Sequence, residues 1–147
     1  MKDRIERKLA TIILAAGKGT RMESDAPKVI HELAGVPMVT RVARLSKQIG
    51  AGKTIVIVGY KSERVMNALN GEDVEFALQK EQLGTGHAVD QAREQLEDFD
   101  GDVLILSGDV PLLSEETING LLKTHTENGA AATLLTAEVD EPKGYGR

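Results

Sequence analysis

Three short stretches of this chain combine small residues, cations and carboxylates in ways that suit a polyphosphate ligand. The first is Leu14-Ala15-Ala16-Gly17-Lys18-Gly19-Thr20-Arg21-Met22, followed by Pro27-Lys28. Small residues let a backbone approach a ligand closely, and successive N–H groups in such a turn form an anion-binding concavity. Arg21 and Lys28 bring positive charge to the same place. A tight solvent-exposed turn with two ordinary cations has the same composition. The second stretch is Gly108-Asp109-Val110-Pro111. Mg²⁺ takes hard oxygen ligands, commonly one or two carboxylates plus substrate phosphates, and Asp109 is of that type. The plainer alternative is a turn aspartate bonded to its own backbone. The third stretch covers residues 79–88 and holds Gln79, Gln82, Gly84 and Thr85. An amide both donates and accepts, as the edge of a uracil requires, and Gly84 would let a backbone N–H reach a base or sugar. A polar loop that opens a helix is the alternative there. His87 alone reads as a packed or surface histidine, and His31 and His125 have no partners at metal-ligand spacing.

Two better-known phosphate motifs are excluded. A dinucleotide fingerprint would need glycine where Met22 stands and an acid at the end of the second strand, where Gly59-Tyr60 stand. Gly52-Lys53-Thr54 resembles the tail of a P-loop, but the first glycine of that motif would fall on Lys47, and the segment precedes a strand instead of following one.

The elements that must position these stretches follow from hydrophobic patterning. Residues 9–16 form a nearly continuous apolar run, the mark of a strand buried on both faces. Met38, Val42, Leu45 and Ile49 fall at helical spacing behind Pro37, and Gly50 ends the pattern. Residues 54–58 are β-branched throughout and predict a second strand. Ser62 is placed to cap a short helix carrying Val65, Met66 and Leu69. Residues 74–78 predict a third strand, and Ala88, Val89, Ala92 and Leu96 line one helical face. Residues 103–106 predict a fourth strand, and Ser114 opens a helix with Glu115 and Glu116 in its first turn, where acids suit the dipole. Residues 132–139 predict a fifth strand. This alternation implies an α/β fold, a mostly parallel sheet with helices on both faces. Ligands then bind beyond the carboxyl ends of the strands, where the loops 17–28 and 108–113 lie.

Composition narrows the function classes. The 147 residues fit one domain, and the formal net charge is −5. Phosphates must therefore be held locally, by backbone N–H groups and a few cations, and a broad basic face for nucleic acid is not supported. With two Tyr, two Phe and no Trp, stacking platforms for single strands are not expected. The absence of cysteine excludes thiol catalysis and Cys-ligated zinc, and fits a reducing cytoplasm. No apolar run approaches the ~20 residues that span a bilayer.

Taken together these residues resemble the sugar-1-phosphate nucleotidyltransferases, whose signature is similar to residues 14–22 and Pro27-Lys28-Val29. His31, Gly35-x-Pro37-Met38, the run from Gln82 to Ala88 and the closing Gly144-Tyr145-Gly146-Arg147 narrow the resemblance. They are similar to the uridylyltransferase domain of the bacterial bifunctional N-acetylglucosamine-1-phosphate uridylyltransferases/glucosamine-1-phosphate acetyltransferases, over residues 9–147. The resemblance implies a Rossmann-like three-layer fold. It also implies transfer of a uridylyl group from UTP to N-acetylglucosamine 1-phosphate with Mg²⁺, giving pyrophosphate and a cell-wall precursor, UDP-N-acetylglucosamine. Leu14, Ala15, Ala16 and Gly17 would hold the nucleotide, and Gly19 and Arg21 the departing pyrophosphate. Lys28 would neutralise the phosphates in transfer. Gln79 and Gly84 would read uracil, supported by Gln82 and Thr85, and Ser107 and Gly108 would offer backbone contact. Asp109 would ligate the metal and Gly144 would contact the sugar. Thymidylyl, guanylyl or cytidylyl transfer, or nucleotide binding without turnover, are the alternatives. The resemblance also implies that residues 1–147 are the N-terminal part of the catalytic domain. The rest of that domain, with a second metal ligand, and a trimer-forming left-handed β-helix domain would lie beyond. A fragment of this kind is expected to turn over slowly and to be a monomer or to self-associate through an unpaired edge.

Overall fold

The computed structural model describes residues 8–19 and 24–140. They fall into two compact units, Met1–Leu113 and Ser114–Arg147. The first contains strand β1 (Lys8–Ala15), a two-stranded ribbon of β2 (Glu32–Leu33) and β3 (Val36–Pro37), helix α1 (Met38–Gln48), β4 (Lys53–Val58), α2 (Ser62–Ala68), β5 (Glu75–Leu78), α3 (Thr85–Asp90) and β6 (Gly101–Ser107). Single 3₁₀ turns occupy Lys28–Ile30 and Glu94–Leu96.

The main sheet has the order β5-β4-β1-β6, with all neighbours parallel. β1 lies between two partners, and β4 is next to it; this is why both read as unbroken apolar runs. Alternation along β1 splits the core in two. Ile12 and Ala16 pack with Ile55, Ile57 and Ala77 beneath Ala88 and Ala92, joined by Leu14, Val89 and Leu96. On the opposite side α1 packs on β1 and β4, and α2 packs on β4. α1 buries Val39, Val42, Ala43, Leu45 and Ser46, and Met38 is only half-buried at its start. The Ser46 and Thr54 hydroxyls meet at 2.7 Å, so the one polar contact between α1 and β4 is satisfied inside the core.

Chain order runs from β1 outward to β4 and β5, then returns across the sheet to β6 on the other side of β1. The direction of winding therefore reverses between β1 and β6. A crevice opens at such a switch point, outside the carboxyl ends of the strands.

Three expectations from the sequence are corrected, and one element was missed. Residues 132–139 form no strand. Among the described residues their own unit contains helix α4 (Glu115–Asn128) and no strand to pair with, and Leu134, Leu135 and Val139 stay exposed. Ser62 does not cap α2: it is the first helical residue, preceded by Lys61 at φ +48°, with no side-chain capping bond. The helix carrying Ala88 to Leu96 breaks after Asp90 and resumes as a 3₁₀ turn. The ribbon β2–β3 was not anticipated, because its turn sets Ala34 and Gly35 both at positive φ, and alanine does not announce such a turn. Ser114, by contrast, caps α4 as expected, its Oγ accepting from the Thr117 N–H at 3.1 Å.

Ile57 is fully buried at the centre of the α3-side cluster. Ile57→Ala is expected to lower stability by about 2–5 kcal/mol through lost burial and a residual cavity. Urea unfolding should show a lower midpoint with an unchanged slope; a midpoint like that of the wild type would show that the cluster carries little of the fold.

Candidate functional site

At the carboxyl end of β1 the chain must leave a strand that has a neighbour on each side. Ala16-Gly17-Lys18-Gly19 makes that exit. The Ala16 carbonyl accepts from the Tyr60 N–H at 3.1 Å and from Gln82 Nε2 at 2.8 Å, which fixes the start of the loop to the ends of β4 and β5. Gly59 lies in the tight space this leaves: a Cβ there would stand 3.0 Å from both Ala16 Cβ and the Ala16 carbonyl. Gly19 has φ +68°, and a Cβ on it would lie 2.6 Å from Lys28 Cβ. The glycine therefore lets the descending arm of the loop, which carries Lys28 in its 3₁₀ turn, return against the ascending one.

On the other side of β1, Leu14 is in register with Ser107, and the Gly108 N–H donates to the Leu14 carbonyl at 2.9 Å. Gly108 has no room for a side chain, since a Cβ would meet the Leu14 carbonyl at 3.0 Å and Val29 Cγ1 at 3.3 Å. The next residue, Asp109, is thereby delivered to Lys28, whose Nζ donates to Asp109 Oδ2 at 2.7 Å. Both side chains keep substantial exposure, so the pair faces the crevice and a ligand can reach either partner.

The third stretch completes the walls. Gln79 is buried, at 4% exposure. Its Nε2 donates to the Gly84 carbonyl at 3.1 Å and faces His87 Nδ1 at 3.1 Å. Gly84 adopts φ 106° ahead of α3, a conformation suited to glycine. A cleft of about 390 Å³ results, within the range of small-molecule sites. Leu14, Ala15, Ala16, Gly17 and Gly19 line it from the first stretch, with Lys28 beside them. Gln79, Gln82, Gly84 and Thr85 line it from the third, and Ser107 and Asp109 from the end of β6.

Of the residues expected from the sequence, Arg21 and Gly144 lie outside the described residues. Gly108 serves by close packing and is not itself on the cleft wall. Val29 and Ala88 line the cleft and were not singled out as site residues. Val29 had a signal in the sequence, an apolar residue directly after a loop lysine, and it is buried. Ala88 was legible as part of a helical face and as the end of the third stretch.

A second ion pair anchors the same loop from outside. Lys61 Nζ meets Asp25 Oδ2 at 2.5 Å and lies 5.4 Å from the centre of the Tyr60 ring, with Lys18 Nζ at 5.5 Å from that ring. The hydrogen bond to Lys61 holds the Asp25 carboxyl below its ordinary value, and the same bond raises Lys61. Asp25's contribution is present above the usual carboxylate range and fades as pH falls through its lowered value. That of Lys61 is present below the ordinary lysine value and is lost as pH rises through the raised one.

A parallel sheet with a glycine loop and a lysine–aspartate pair at its switch point defines a nucleotide-handling α/β domain. Residues 11–146 match the model of the MobA-like NTP transferase domain, and the chain belongs to that family. Among curated relatives it is 52% identical over 139 residues to the bifunctional protein GlmU of Syntrophotalea carbinolica, covering 95% of this chain and 30% of that protein. It is 51% identical over 140 residues to the bifunctional protein GlmU of Geobacter metallireducens, covering 95% of this chain and 29% of the relative. The chain thus spans about a third of the length of these relatives. Among solved structures, HddC from Yersinia pseudotuberculosis, complexed with GMP-PN, superposes with a TM-score of 0.67 at 24% identity, over 79% of this chain and 53% of that one. A nucleotidyl transferase from Methanothermobacter gives 0.66 at 22% identity, over 79% and 57%. At these identities the two structures establish the shared fold.

The contact between positions 19 and 28 is testable as a coupling. Gly19→Ala is expected to cost about 1–2 kcal/mol for its left-handed backbone alone, and more in the wild type because the new methyl collides with Lys28. In a Lys28→Gly background the extra cost should vanish, as a double-mutant cycle by urea unfolding would read. Equal costs in both backgrounds would show that the approach of the two residues is not felt.

Proposed function

We propose that this chain carries the nucleotide-handling part of a uridylyltransferase that moves a uridylyl group from UTP to N-acetylglucosamine 1-phosphate and releases pyrophosphate. The single observation that carries this reading is the convergence of three separate stretches on one cleft, with Lys28 and Asp109 joined at its wall. The choice of UTP and of the amino sugar rests on the resemblance of the motifs and on the ~50% identity to proteins named GlmU.

The reaction is an in-line displacement at the α-phosphorus of UTP by a phosphate oxygen of the sugar phosphate. The attacking group is already an anion and needs no general base. What the protein must supply is position and opposite charge. The narrow exit of β1 lets the backbone of residues 14–17 lie against the nucleoside. Gly19 leaves room for phosphate oxygens near Lys28, whose ammonium is the described cation on the cleft wall. Arg21 adds a second positive charge, on the evidence of its place in the sequence. Asp109 fits Mg²⁺, because it is the acidic side chain on the cleft wall and already holds a cation, the Lys28 ammonium. When bound, that ion supplies neutralisation of the phosphate charge. Gln79, with the Gly84 N–H, would read the base, and Gly144 is assigned to the sugar from its motif.

Among the described residues the cleft wall carries one carboxylate, which favours a second reading, nucleotide binding with little turnover. The two separate in a calorimetric titration of UTP with Mg²⁺ run beside a pyrophosphate-release assay with the sugar phosphate. Binding with turnover supports transfer, and binding without it supports the second reading; absence of UTP binding would sink both. Where turnover is seen, Asp109→Asn should abolish the Mg²⁺-dependent turnover while leaving the fold intact. Lys28→Ala should lower it by one to a few powers of ten, roughly the effect of losing one transition-state charge contact.

A further inference from the structure

We propose that His87 is a positioning residue for base selection: its Nδ1 lone pair, together with the Gly84 carbonyl, turns the Gln79 amide so that it meets the ligand as an acceptor. The inference rests on the reading of Gln79 as the base-reading residue and concerns how its two ends are told apart.

An amide side chain is nearly symmetrical in shape and opposite in chemistry at its two ends. Left to itself in a cleft it presents either end, and a residue that does so cannot distinguish bases that differ by donor and acceptor. Gln79 is not left to itself. Nε2 has two hydrogens: one goes to the Gly84 carbonyl and the other faces His87 Nδ1, each at 3.1 Å, so a lone pair at Nδ1 would accept it. With that lone pair in place, a half-turn of the amide would set Oε1 against a carbonyl oxygen and a lone pair, three acceptors together in a part-buried place. Unpaired buried polar groups are costly, so the orientation is held. Oε1 is then the end with no bond to a described residue.

Uracil and cytosine differ at the atom such an acceptor tests. Uracil offers N3–H, a donor; cytosine offers N3 as a lone pair. An amide oxygen fixed in place favours the first and opposes the second, which is selection by a mismatched partner as well as by a matched one. A neutral imidazole carries one lone pair and one N–H. With the lone pair at Nδ1, the proton is at Nε2, which faces the Gln91 amide at 3.3 Å. Gln91 Nε2 stands 3.0 Å from the His87 carbonyl. In the structure Gln91 presents Nε2 to the ring, so this tautomer requires a half-turn of the Gln91 amide that would exchange its bond to the His87 carbonyl for one from the Nε2 proton. The alternative tautomer would instead place Nδ1–H against Gln79 Nε2 and undo the arrangement.

The test compares UTP and CTP, each with Mg²⁺, and inorganic pyrophosphate, by calorimetry on the full chain. His87→Leu is expected to reduce the ratio of UTP to CTP affinity about tenfold, the scale of one oriented hydrogen bond. Pyrophosphate affinity should be unchanged, and His87→Gln, which can offer an oxygen to Nε2 of Gln79, should restore part of the ratio. A ratio in His87→Leu equal to that of the wild type overturns the inference. Gln79→Ala separates the two layers: if it too leaves the ratio unchanged, the base-reading role itself is wrong. If Gln79→Ala abolishes selectivity and His87→Leu does not, only the role of His87 fails. A measurement on the unaltered protein guards against variants that do not fold. Nitrogen-15 NMR of the imidazole should show protonation at Nε2 and a bare Nδ1, and the opposite tautomer would overturn the proposal.

Discussion

The register between β1 and β6 governs the rest of the molecule. Leu14 faces Ser107, and the Gly108 N–H continues the ladder by one more bond to the Leu14 carbonyl. In a parallel pair a slip of one residue carries every side chain to the other face. Such a slip would move Leu104 and Leu106 out of the core and take Asp109 away from Lys28. One alignment thus satisfies the hydrophobic core and the charge pair at once. The core enforces the alignment with far more energy than the pair could, because Ile12, Ile13, Leu104 and Leu106 are all buried. The chemistry is positioned by packing.

The glycines of the site follow from the same constraint. β1 has a neighbour on both sides, so its exit loop has little width in which to turn. Gly19 and Gly108 stand where two backbones come within a side chain's breadth, one beside Lys28 and the other beside Leu14 and Val29. They do not contribute flexibility to a moving lid; each removes a methyl group that would separate functional residues. In a protein with a formal net charge of −5, this closeness matters. A general positive field is absent, so anion binding depends on a small number of cations held at short range.

Much of this was legible in the sequence, and for a physical reason. Strands buried on both faces write themselves as apolar runs, and β1 and β4 are within a residue of where those runs lie. Ligand loops write themselves as glycine, cation and acid, and Lys28, Gln79, Gln82 and Asp109 share one cleft. What failed was what depends on partners. Residues 132–139 have a strand's composition, but a strand exists only in a ladder, and nothing in a single segment reports whether a ladder is available. The ribbon at Ala34-Gly35 was hidden because an alanine occupies a backbone conformation that usually advertises itself through asparagine or glycine. His87 was set aside because a histidine alone is uninformative. Its meaning comes from Gln79, eight residues away along the chain and joined to it only by the turn at Gly84.

The place of β1 in the chain and its place in the sheet have a consequence for how the protein comes into being. β1 precedes the other strands of this sheet in the chain, yet both of its neighbours come later. The first of them, β4, follows after one helix, so a β1–β4 pair can form early from local contacts. The second, β6, pairs Ile105 with Ile12 and arrives only after β5 and α3 have been made. Closing that long loop costs entropy before the pairing returns it. On the ribosome, then, the glycine loop and Lys28 emerge with half of this sheet, and Asp109 joins them only once β6 has been made.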